Sequence, residues 1–412
     1  MTTPPALAIR GARLPGVSGG ERNVVVHEGR VASVDAADAL SEIAETEIDA
    51  RGLWLIPGIV DAHAHVTWDR FDAADRSPRG SAAERRSTAQ TLGAMLSAGV
   101  TSARDAGGAD SETRRALTAG TPGPRLALSV DLLDRARVDA AGGMGPAVES
   151  VLAAGADWVK LVATGGVATP PGSQLVSHFS PAEFALATRL AAEAGARVMV
   201  HAWGGPAITD ALDAGVASIE HGIFLTPEQA ALGTERGTVL VPTLTIYLLV
   251  QEMIAAGRLP ASFGPRVAEA VRAHPAAVRT ARDAGMPIAV GSDYSTPEQH
   301  GTNLREVAEL RRAGLDADEA LTAATVTGAR LLAAPSRTAN GRDPLDLAGR
   351  LVPGARADAV LLRSDPAVAE TFRDPDAVVA VVQEGRLVFR HPGSDLPSHL
   401  TALARPHDRS TP

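Results

Sequence analysis

Short apolar segments alternate with helix-like segments eight times between residues 54 and 290, and this alternation constrains the fold more than any other feature. The apolar segments are 54–60, 99–102, 125–130, 158–162, 197–200, 216–219, 238–244 and 286–290. Two linking segments begin with Ser-Pro or Thr-Pro and several end at glycine, as helices commonly do. Alternating strands and helices form parallel βαβ units, and eight of them fit the ~250 residues of a closed barrel. The pattern predicts an α/β fold, a (β/α)8 TIM barrel. An open doubly wound sheet is disfavoured because no Gly-x-Gly-x-x-Gly follows the first strand.

The two ends of the chain have a different pattern. Short strand-like segments separated by glycine-containing turns occur at 7–34 and again at 359–389. Neither group is long enough to bury a core alone. We therefore expect residues 1–55 and 345–395 to form one small β-sandwich, with the barrel of residues 56–344 inserted between its halves. Residues 396–412 are expected to form a loose tail.

Composition excludes several kinds of site and partner. The chain has no cysteine, so disulfides, thiolate nucleophiles and cysteine-based metal sites are excluded. The net charge of −9 and the 3% aromatic content argue against nucleic acid and anionic membranes as partners. The start lacks a leader-like apolar segment, and the apolar run 239–250 is shorter than the ~20 residues of a membrane span. We expect a cytoplasmic protein.

Chemically active side chains fall at the C-terminal ends of the predicted strands, where barrels place their active sites. They are His63 and His65 in strand one, Lys160 in strand four, His201 in strand five, His221 in strand six and Asp293 in strand eight. Alternate residues of a strand share one face, so the first two imidazoles can bind one ion. Four imidazoles and a carboxylate without cysteine favour zinc or another first-row divalent ion.

Lys160 is the unusual member of this set, because a buried free ammonium is energetically expensive. Addition of CO2 would convert the amine into an anionic carbamate, which can bridge two metal ions. The sequence therefore predicts two divalent ions, one bound by His63, His65 and Asp293 and the other by His201 and His221, with the Lys160 carbamate between them. Taken singly, Asp293 could cap a helix and Lys160 could pair with Asp105. The joint placement of all six favours the metal site.

Further polar residues lie near the same predicted strand ends. Arg104, His178, Tyr247 and His300 are candidate substrate contacts, the two histidines because they lie on strand-to-helix loops. The other histidines have polar contexts, and we expect them at the surface. They are His27, His274, His391, His399 and His407.

These residues resemble the amidohydrolase superfamily, in its binuclear type with a carboxylated lysine on strand four. The resemblance rests on Leu-Ile-Pro-Gly-Ile-Val-Asp-Ala-His-Ala-His at 55–65 and on Gly-Arg-Leu-Val-Pro-Gly at 349–354. Segments 101–108, 160–167 and 300–306 are most similar to the imidazolonepropionase-related, prolidase-like branch. That branch includes Xaa-Pro and Xaa-Arg/Lys dipeptidases, N-acyl amino acid hydrolases and ochratoxin-type amidases. Members often carry a Gly-Gly-His segment after strand three, whereas 131–144 contains no histidine here.

The resemblance implies a metal-dependent hydrolase that cleaves the amide of an N-acyl amino acid or dipeptide-like substrate. Metal-activated water would attack the carbonyl, with Asp293 taking its proton and passing it to the leaving amine, and with Tyr247 helping to polarise the carbonyl. The same site could instead open lactones or phosphotriesters. Deaminases fit less well because they usually bind one metal without a bridging lysine, and non-catalytic scaffolds usually lack ligands. Zinc, manganese and cobalt stay open, as does the number of subunits in a homo-oligomer.

Overall fold

The computed structural model describes residues 7–18, 20–37, 44–72, 75–167, 169, 175–333, 347, 349–394 and 396. The strands are β1 (Leu7–Ala12), β2 (Arg22–His27), β3 (Arg30–Ala36), β4 (Thr46–Asp49), β5 (Trp54–Pro57), β6 (Ile59–Ala64), β7 (Val100–Asp105), β8 (Arg125–Ala127), β9 (Leu132–Leu133), β10 (Trp158–Val162), β11 (Arg197–Ala202), β12 (Ser218–His221), β13 (Val239–Val241), β14 (Ala359–Leu362), β15 (Val378–Gln383) and β16 (Arg386–Arg390).

Helices follow most of the barrel strands. They are α1 (Ala82–Ser97), α2 (Ser111–Thr118), α3 (Arg135–Ala140), α4 (Met144–Ala153), α5 (Pro181–Glu193), α6 (Pro206–Asp213), α7 (Pro227–Arg236), α8 (Leu244–Ala255), α9 (Gly264–Asp283), α10 (Arg305–Ala313), α11 (Ala317–Thr322) and α12 (Gly328–Leu332). As the Ser-Pro and Thr-Pro pairs predict, Ser180 and Thr226 cap α5 and α7 with capping boxes. None of the described helices is long and apolar enough to cross a bilayer.

The predicted (β/α)8 barrel is confirmed. Strands β6, β7 and β8 form one parallel group, and β9 to β13 form a second. The predicted eighth strand, 286–290, closes the barrel through a single bridge between Leu240 and Ile288 and not through a full ladder. Pro287 lies in this segment and has no amide hydrogen to donate. On the other side of the segment, the Ala62 amide donates to the Val290 carbonyl at 2.8 Å.

The chain ends form two four-stranded sheets, in the orders β3-β2-β1-β4 and β16-β15-β14-β5. Successive residues of β14 alternate between two cores: Leu361 packs toward the other sheet, whereas Val360 and Leu362 belong to the barrel core. This second sheet therefore lies between the first sheet and the barrel. Leu396 is buried in the core between the sheets, and the rest of the predicted tail lies outside the described residues.

The predicted first strand, 54–60, divides at Gly58. The β5 part pairs antiparallel with β14 in the small sheet, and β6 begins the barrel. A Cβ atom at position 58 would lie 2.8 Å from Thr101 Cγ2 and 2.9 Å from Asp358 Cβ. Glycine is therefore required where the chain passes between the barrel and the sheet, because a larger residue would overlap both neighbours.

Candidate metal centre

The structure brings all six sequence-predicted residues together at the C-terminal end of the barrel. Asp293 Oδ1 lies 3.3 Å from both His63 Nε2 and His65 Nε2, and these three side chains form a group able to bind an ion. Lys160 Nζ lies 3.3 Å from His63 Nε2. The His201 and His221 rings are 4.4 Å apart, and the His63 ring is 5.2 Å from that of His221.

Two of these residues occupy unusual backbone conformations. His221 has φ of 72° and Asp293 has φ of 53°, and Thr243, which contacts His221, has φ of 57°. Non-glycine residues in this left-handed region carry a local energetic cost, and such residues cluster at functional sites. The Asp293 amide donates to the His63 carbonyl at 2.7 Å, which ties the two proposed ligands together through the backbone.

One nitrogen of each imidazole is held by a neighbour. Nδ1 of His63 contacts Glu220 Oε2 at 2.6 Å, that of His65 contacts the Gly107 carbonyl at 3.2 Å, and that of His221 contacts Thr243 Oγ1 at 2.8 Å. In His201 it is Nε2 that contacts the Gly165 carbonyl, at 3.2 Å. Each ring therefore keeps one nitrogen for an ion, an arrangement that orients metal-binding histidines in general.

The charges also suit a metal centre. Burial lowers the pKa of His201 to about 3 and that of His221 well below its ordinary value, so both rings are neutral and able to donate a lone pair. Burial would raise the pKa of Asp293, but His63 and His65 outweigh it and keep the carboxylate ionised. The Asp293 side chain is 19% exposed, so a substrate can reach it. The donor set thus fits divalent cations.

Lys160 makes no ordinary ion pair among the described residues. Asp105, the alternative partner, accepts hydrogen bonds from the amides of Val66, Gly107 and Ala109. Only 2% of Lys160 is exposed. Burial lowers its pKa to about 8, although the Glu220 and Asp293 carboxylates act in the opposite direction. Lys160 therefore lies among the proposed ligand side chains without an ion-pair partner of its own.

Lys160 is also the only lysine in the chain, which has 38 arginines. All the remaining positions with a lysine or an arginine have arginine, and only position 160 has lysine. A guanidinium stays charged and is a poor nucleophile toward CO2, so arginine cannot replace a lysine that reacts as an amine. This count was available from the sequence and singles out position 160 without any structural information.

The structure corrects the interpretation of Arg104 as a substrate contact. Its side chain is fully buried inside the barrel and stacks on Trp158. Its nitrogens donate to the Ala62 carbonyl at 2.6 Å, Ser218 Oγ at 3.0 Å and Glu220 Oε1 at 2.9 Å. Because all of these donors are used inside the protein, Arg104 binds to residues of the barrel interior and does not face a substrate.

Glu220 is a functional residue that the sequence reasoning missed. It is completely buried and joins His63 to Arg104. Burial alone would raise the pKa of this carboxyl, but Arg104 and His63 hold it at about 2. The available signal was a charged residue between the apolar run 216–219 and His221, at a strand end where barrels place functional side chains.

The remaining candidate contacts lie around the centre. Tyr247, in the first turn of α8, packs edge-on to the His221 ring at 5.9 Å. His178 Nδ1 contacts the Val162 carbonyl at the end of β10, at 3.1 Å. His300 is 5% exposed, and its Nε2 has no hydrogen-bond partner among the described residues. All three positions remain candidate substrate contacts.

His274 is not at the surface, contrary to the sequence-based expectation. It is 1% exposed on α9, and its Nε2 lies 2.9 Å from the His221 carbonyl oxygen. It follows Val267 and Ala270 on the buried face of the helix, so helical periodicity could have placed it. His27 is exposed and His391 is partly exposed, whereas His399 and His407 lie outside the described residues.

A separate cavity of about 910 Å³ lies at the opposite, N-terminal end of the barrel, lined by residues such as Pro57, Thr101, Arg125, Trp158 and Arg197. None of the six converging residues lines it. The volume of this cavity therefore has no bearing on the chemistry of the six residues at the C-terminal end of the barrel.

Parallel barrels whose C-terminal mouth brings histidine, lysine and aspartate side chains together form a class of barrel hydrolases, and this chain has those features. The chain belongs to the Amidohydrolase family, whose profile matches residues 54–388. An uncharacterized protein of Mycobacterium tuberculosis is 32% identical over 337 residues, 80% of this chain and 85% of that protein. Ochratoxinase of Aspergillus niger is 30% identical over 248 residues, 60% of this chain and 49% of ochratoxinase.

Among solved structures, a prolidase complexed with N-methylphosphonate-L-proline has a TM-score of 0.81 to this chain at 28% identity, covering 94% of this chain and 100% of the prolidase. The sequence-based assignment to the prolidase-like branch of the amidohydrolase superfamily is thereby confirmed, and the chain is a hydrolase. The identity of its metal ions and its substrate belong to the proposal that follows.

Proposed function

We propose that this protein cleaves the amide bond of an N-acyl amino acid or dipeptide-like substrate with the help of two divalent ions. The observation that carries the proposal is the convergence of His63, His65, Lys160, His201, His221 and Asp293 at one mouth of the barrel. Ochratoxinase and a prolidase are among the proteins similar to this chain, which supports an amide of an amino acid as the bond cleaved.

His63, His65 and Asp293 would hold one ion, and His201 and His221 the other. Lys160, as a CO2-derived carbamate, would supply an anionic ligand between them. Zinc suits this set of nitrogen and oxygen donors. When bound, a pair of such ions lowers the pKa of water and polarises a carbonyl.

The protein side chains supply the proton transfers. Asp293 is ionised and partly exposed, so it can accept the proton of the attacking water and return it to the amide nitrogen as the C–N bond breaks. Glu220 and Arg104 hold the His63 ring in one orientation. The Tyr247 hydroxyl would contact the substrate carbonyl, a role supported by the packing of its ring against His221.

Metal counting with an activity panel tests this proposal. Protein purified in bicarbonate with added zinc should contain close to two ions per chain and should hydrolyse at least one member of a panel of N-acyl amino acids and dipeptides. A chelator should abolish the activity, and zinc should restore it. One ion per chain would contradict the two-ion site, and turnover only of lactones or phosphotriesters would contradict amide cleavage.

The single lysine allows a direct test of the carbamate. Protein equilibrated with 13C-bicarbonate should show one carbamate carbon resonance from a side chain, and Lys160→Arg should lack it. Because the chain has no other lysine, only the terminal amine could give a second carbamate resonance, and that resonance would persist in Lys160→Arg. Its absence from metal-loaded wild-type protein would contradict the proposed role of Lys160.

A further inference from the structure

The indole N–H of Trp203 is a buried donor without a partner. Trp203 follows β11, two residues after His201, and is only 2% exposed. Its Nε1 makes no hydrogen bond with any described residue. Leaving a buried polar group unpaired costs about 1–3 kcal/mol, so such groups in a native protein call for an explanation.

The position of Trp203 indicates what this donor faces. Its ring packs edge-on against Tyr247 at 5.5 Å, and Tyr247 in turn packs edge-on against His221 at 5.9 Å. Burial and the Asp293 carboxylate raise the pKa of the Tyr247 hydroxyl well above its ordinary value, so this hydroxyl stays protonated close to the indole N–H. Two uncharged donors therefore lie side by side next to the proposed metal ligands.

Gly166 lies close to this N–H and presents no side chain to it. A Cβ atom at position 166 would lie 3.4 Å from His201 Cε1, 3.6 Å from His201 Nε2 and 4.0 Å from Trp203 Nε1. Gly166 does not have a positive φ, so its backbone conformation does not require glycine. We call the space bounded by Gly166, the His201 ring and Trp203 Nε1 the indole niche.

We propose that Trp203 Nε1 donates a hydrogen bond to the carbonyl oxygen of the amide that is cleaved, and that this oxygen occupies the indole niche. The inference rests on the proposed function, since it assigns a group at the same site. It makes Trp203 a catalytic residue and Gly166 a residue that preserves room for the substrate.

The surroundings favour the reacting carbonyl over a remote carboxylate. The niche borders the Cε1–Nε2 edge of the His201 ring, and Tyr247 packs against both Trp203 and His221, so an oxygen within the niche lies near the proposed metal ligands. Trp203 and Tyr247 are uncharged, and fixed uncharged donors stabilise an oxygen whose negative charge develops in the transition state. A permanent carboxylate is better matched by the planar, charged guanidinium of arginine.

Trp203→Phe removes the N–H and keeps most of the ring. We expect kcat to fall by about 10²-fold, the size typical of losing one such donor, with little change in KM or in metal content. Trp54→Phe, in β5 of the small sheet, makes the same change far from the mouth and should leave kcat unchanged. A wild-type kcat in Trp203→Phe would overturn the inference, and so would a rise in KM alone.

Gly166→Ala tests the niche from the opposite side. The added methyl group makes only ordinary contacts with the protein, so the variant should fold and bind metal as the wild type does. It should nevertheless lower kcat/KM by at least ten-fold, because it occupies the place of the substrate oxygen. Gly93→Ala, whose methyl group would meet nothing within 4 Å, is the matched control. Full activity in Gly166→Ala would overturn the proposal that the substrate oxygen occupies the indole niche.

A double-mutant cycle separates direct action from positioning of Tyr247. If Trp203 contacts the substrate, Trp203→Phe should lower kcat in the Tyr247→Phe background as well. No further loss in that background would show that Trp203 only positions Tyr247, which overturns the inference.

Binding provides a readout independent of turnover. A phosphonate analogue of the best amide substrate carries tetrahedral anionic oxygens, and Trp203→Phe should weaken its binding more than it weakens binding of the reaction product. Equal weakening of both would overturn the inference while leaving amide hydrolysis intact. If the wild-type protein hydrolyses no amide of the panel, the proposed function fails first and this inference fails with it.

Discussion

Glu220 is a single buried carboxylate that organises the proposed metal centre. It bonds His63 on one side and Arg104 on the other, and all three side chains are excluded from water. Removing charges from water is expensive, and only close pairing with further hydrogen bonds compensates for it. Arg104 also donates to the Ala62 carbonyl and Ser218 Oγ, so the pair is tied to two barrel strands.

Glu220→Gln should therefore damage both stability and metal binding. It leaves the Arg104 guanidinium buried without its counter-charge, which should lower the free energy of unfolding by about 3–5 kcal/mol. It should also weaken zinc binding about 10- to 100-fold, because His63 loses its anionic partner. Denaturant unfolding and zinc titration measure the two effects.

Glu47→Gln serves as the control for this prediction. The Glu47–Arg10 pair has a similarly short distance, 2.6 Å, but Glu47 is 53% exposed. Exposed pairs contribute little, so this change should alter the free energy of unfolding by less than about 1 kcal/mol. Equal losses in the two variants would show that burial of the Arg104 pair is unimportant.

Asp293→Asn should separate metal binding from proton transfer. The amide keeps an oxygen toward His63 and His65, so most of the bound metal should remain. It cannot take up the proton of the attacking water, and turnover should fall by about 10²- to 10⁴-fold. Metal analysis together with kcat measures both quantities, and near-normal turnover would remove Asp293 from the catalytic role.

The residues of the proposed metal site were predictable individually because strand ends and alternation are local properties of the sequence. His63, His65, Lys160, His201, His221 and Asp293 all follow from those rules. Arg104 was misinterpreted because an arginine in a strand gives no local indication of its partners. Its role depends on Ser218 and Glu220, more than a hundred residues away.

At the scale of elements, the junctions were harder to place than the strands themselves. The segment 54–60 is continuously apolar, yet Gly58 divides it between the small sheet and the barrel. Periodicity cannot reveal this division, since both halves are buried strands. The weak eighth strand has a similar explanation, because Pro287 reduces its hydrogen bonds without reducing its apolar character.

Gly58→Ala should destabilise the protein through this junction. The methyl group would overlap Thr101 and the Asp358 side chain, and overpacking of this kind costs about 1–3 kcal/mol. Gly93→Ala lies inside α1 with nothing within 4 Å, and it should stabilise the helix by up to about 1 kcal/mol. Thermal unfolding of both variants checks the prediction. A lower Tm for Gly58→Ala together with a higher Tm for Gly93→Ala would support it, whereas equal shifts of Tm would contradict it.

At the scale of the whole molecule, the sheet containing β14 and β15 belongs to two cores at once. Val360, Leu362, Val378 and Val381 lie in the barrel core, while Leu361 and Val379 pack toward the other sheet. The Arg125–Asp358 ion pair and the hydrogen bond from Gln383 to the Thr101 carbonyl add polar ties between barrel and sheet.

This shared core predicts one unfolding transition. Because loss of the small sheets would expose the barrel core, the two parts should unfold together, and far-UV and near-UV circular dichroism should give coincident curves in denaturant. Two separated transitions would show that the barrel is stable without its covering sheet.

The placement of the only lysine at the base of the mouth has a practical corollary for handling the protein. Aldehyde fixatives, succinimidyl dyes and amine-coupling surfaces require accessible primary amines, and this chain offers none on its exterior side chains. Apart from the terminal amine, any such reagent that attaches to an amine has reached Lys160, so labelling of the metal-free protein is a gauge of how freely that entrance admits small molecules.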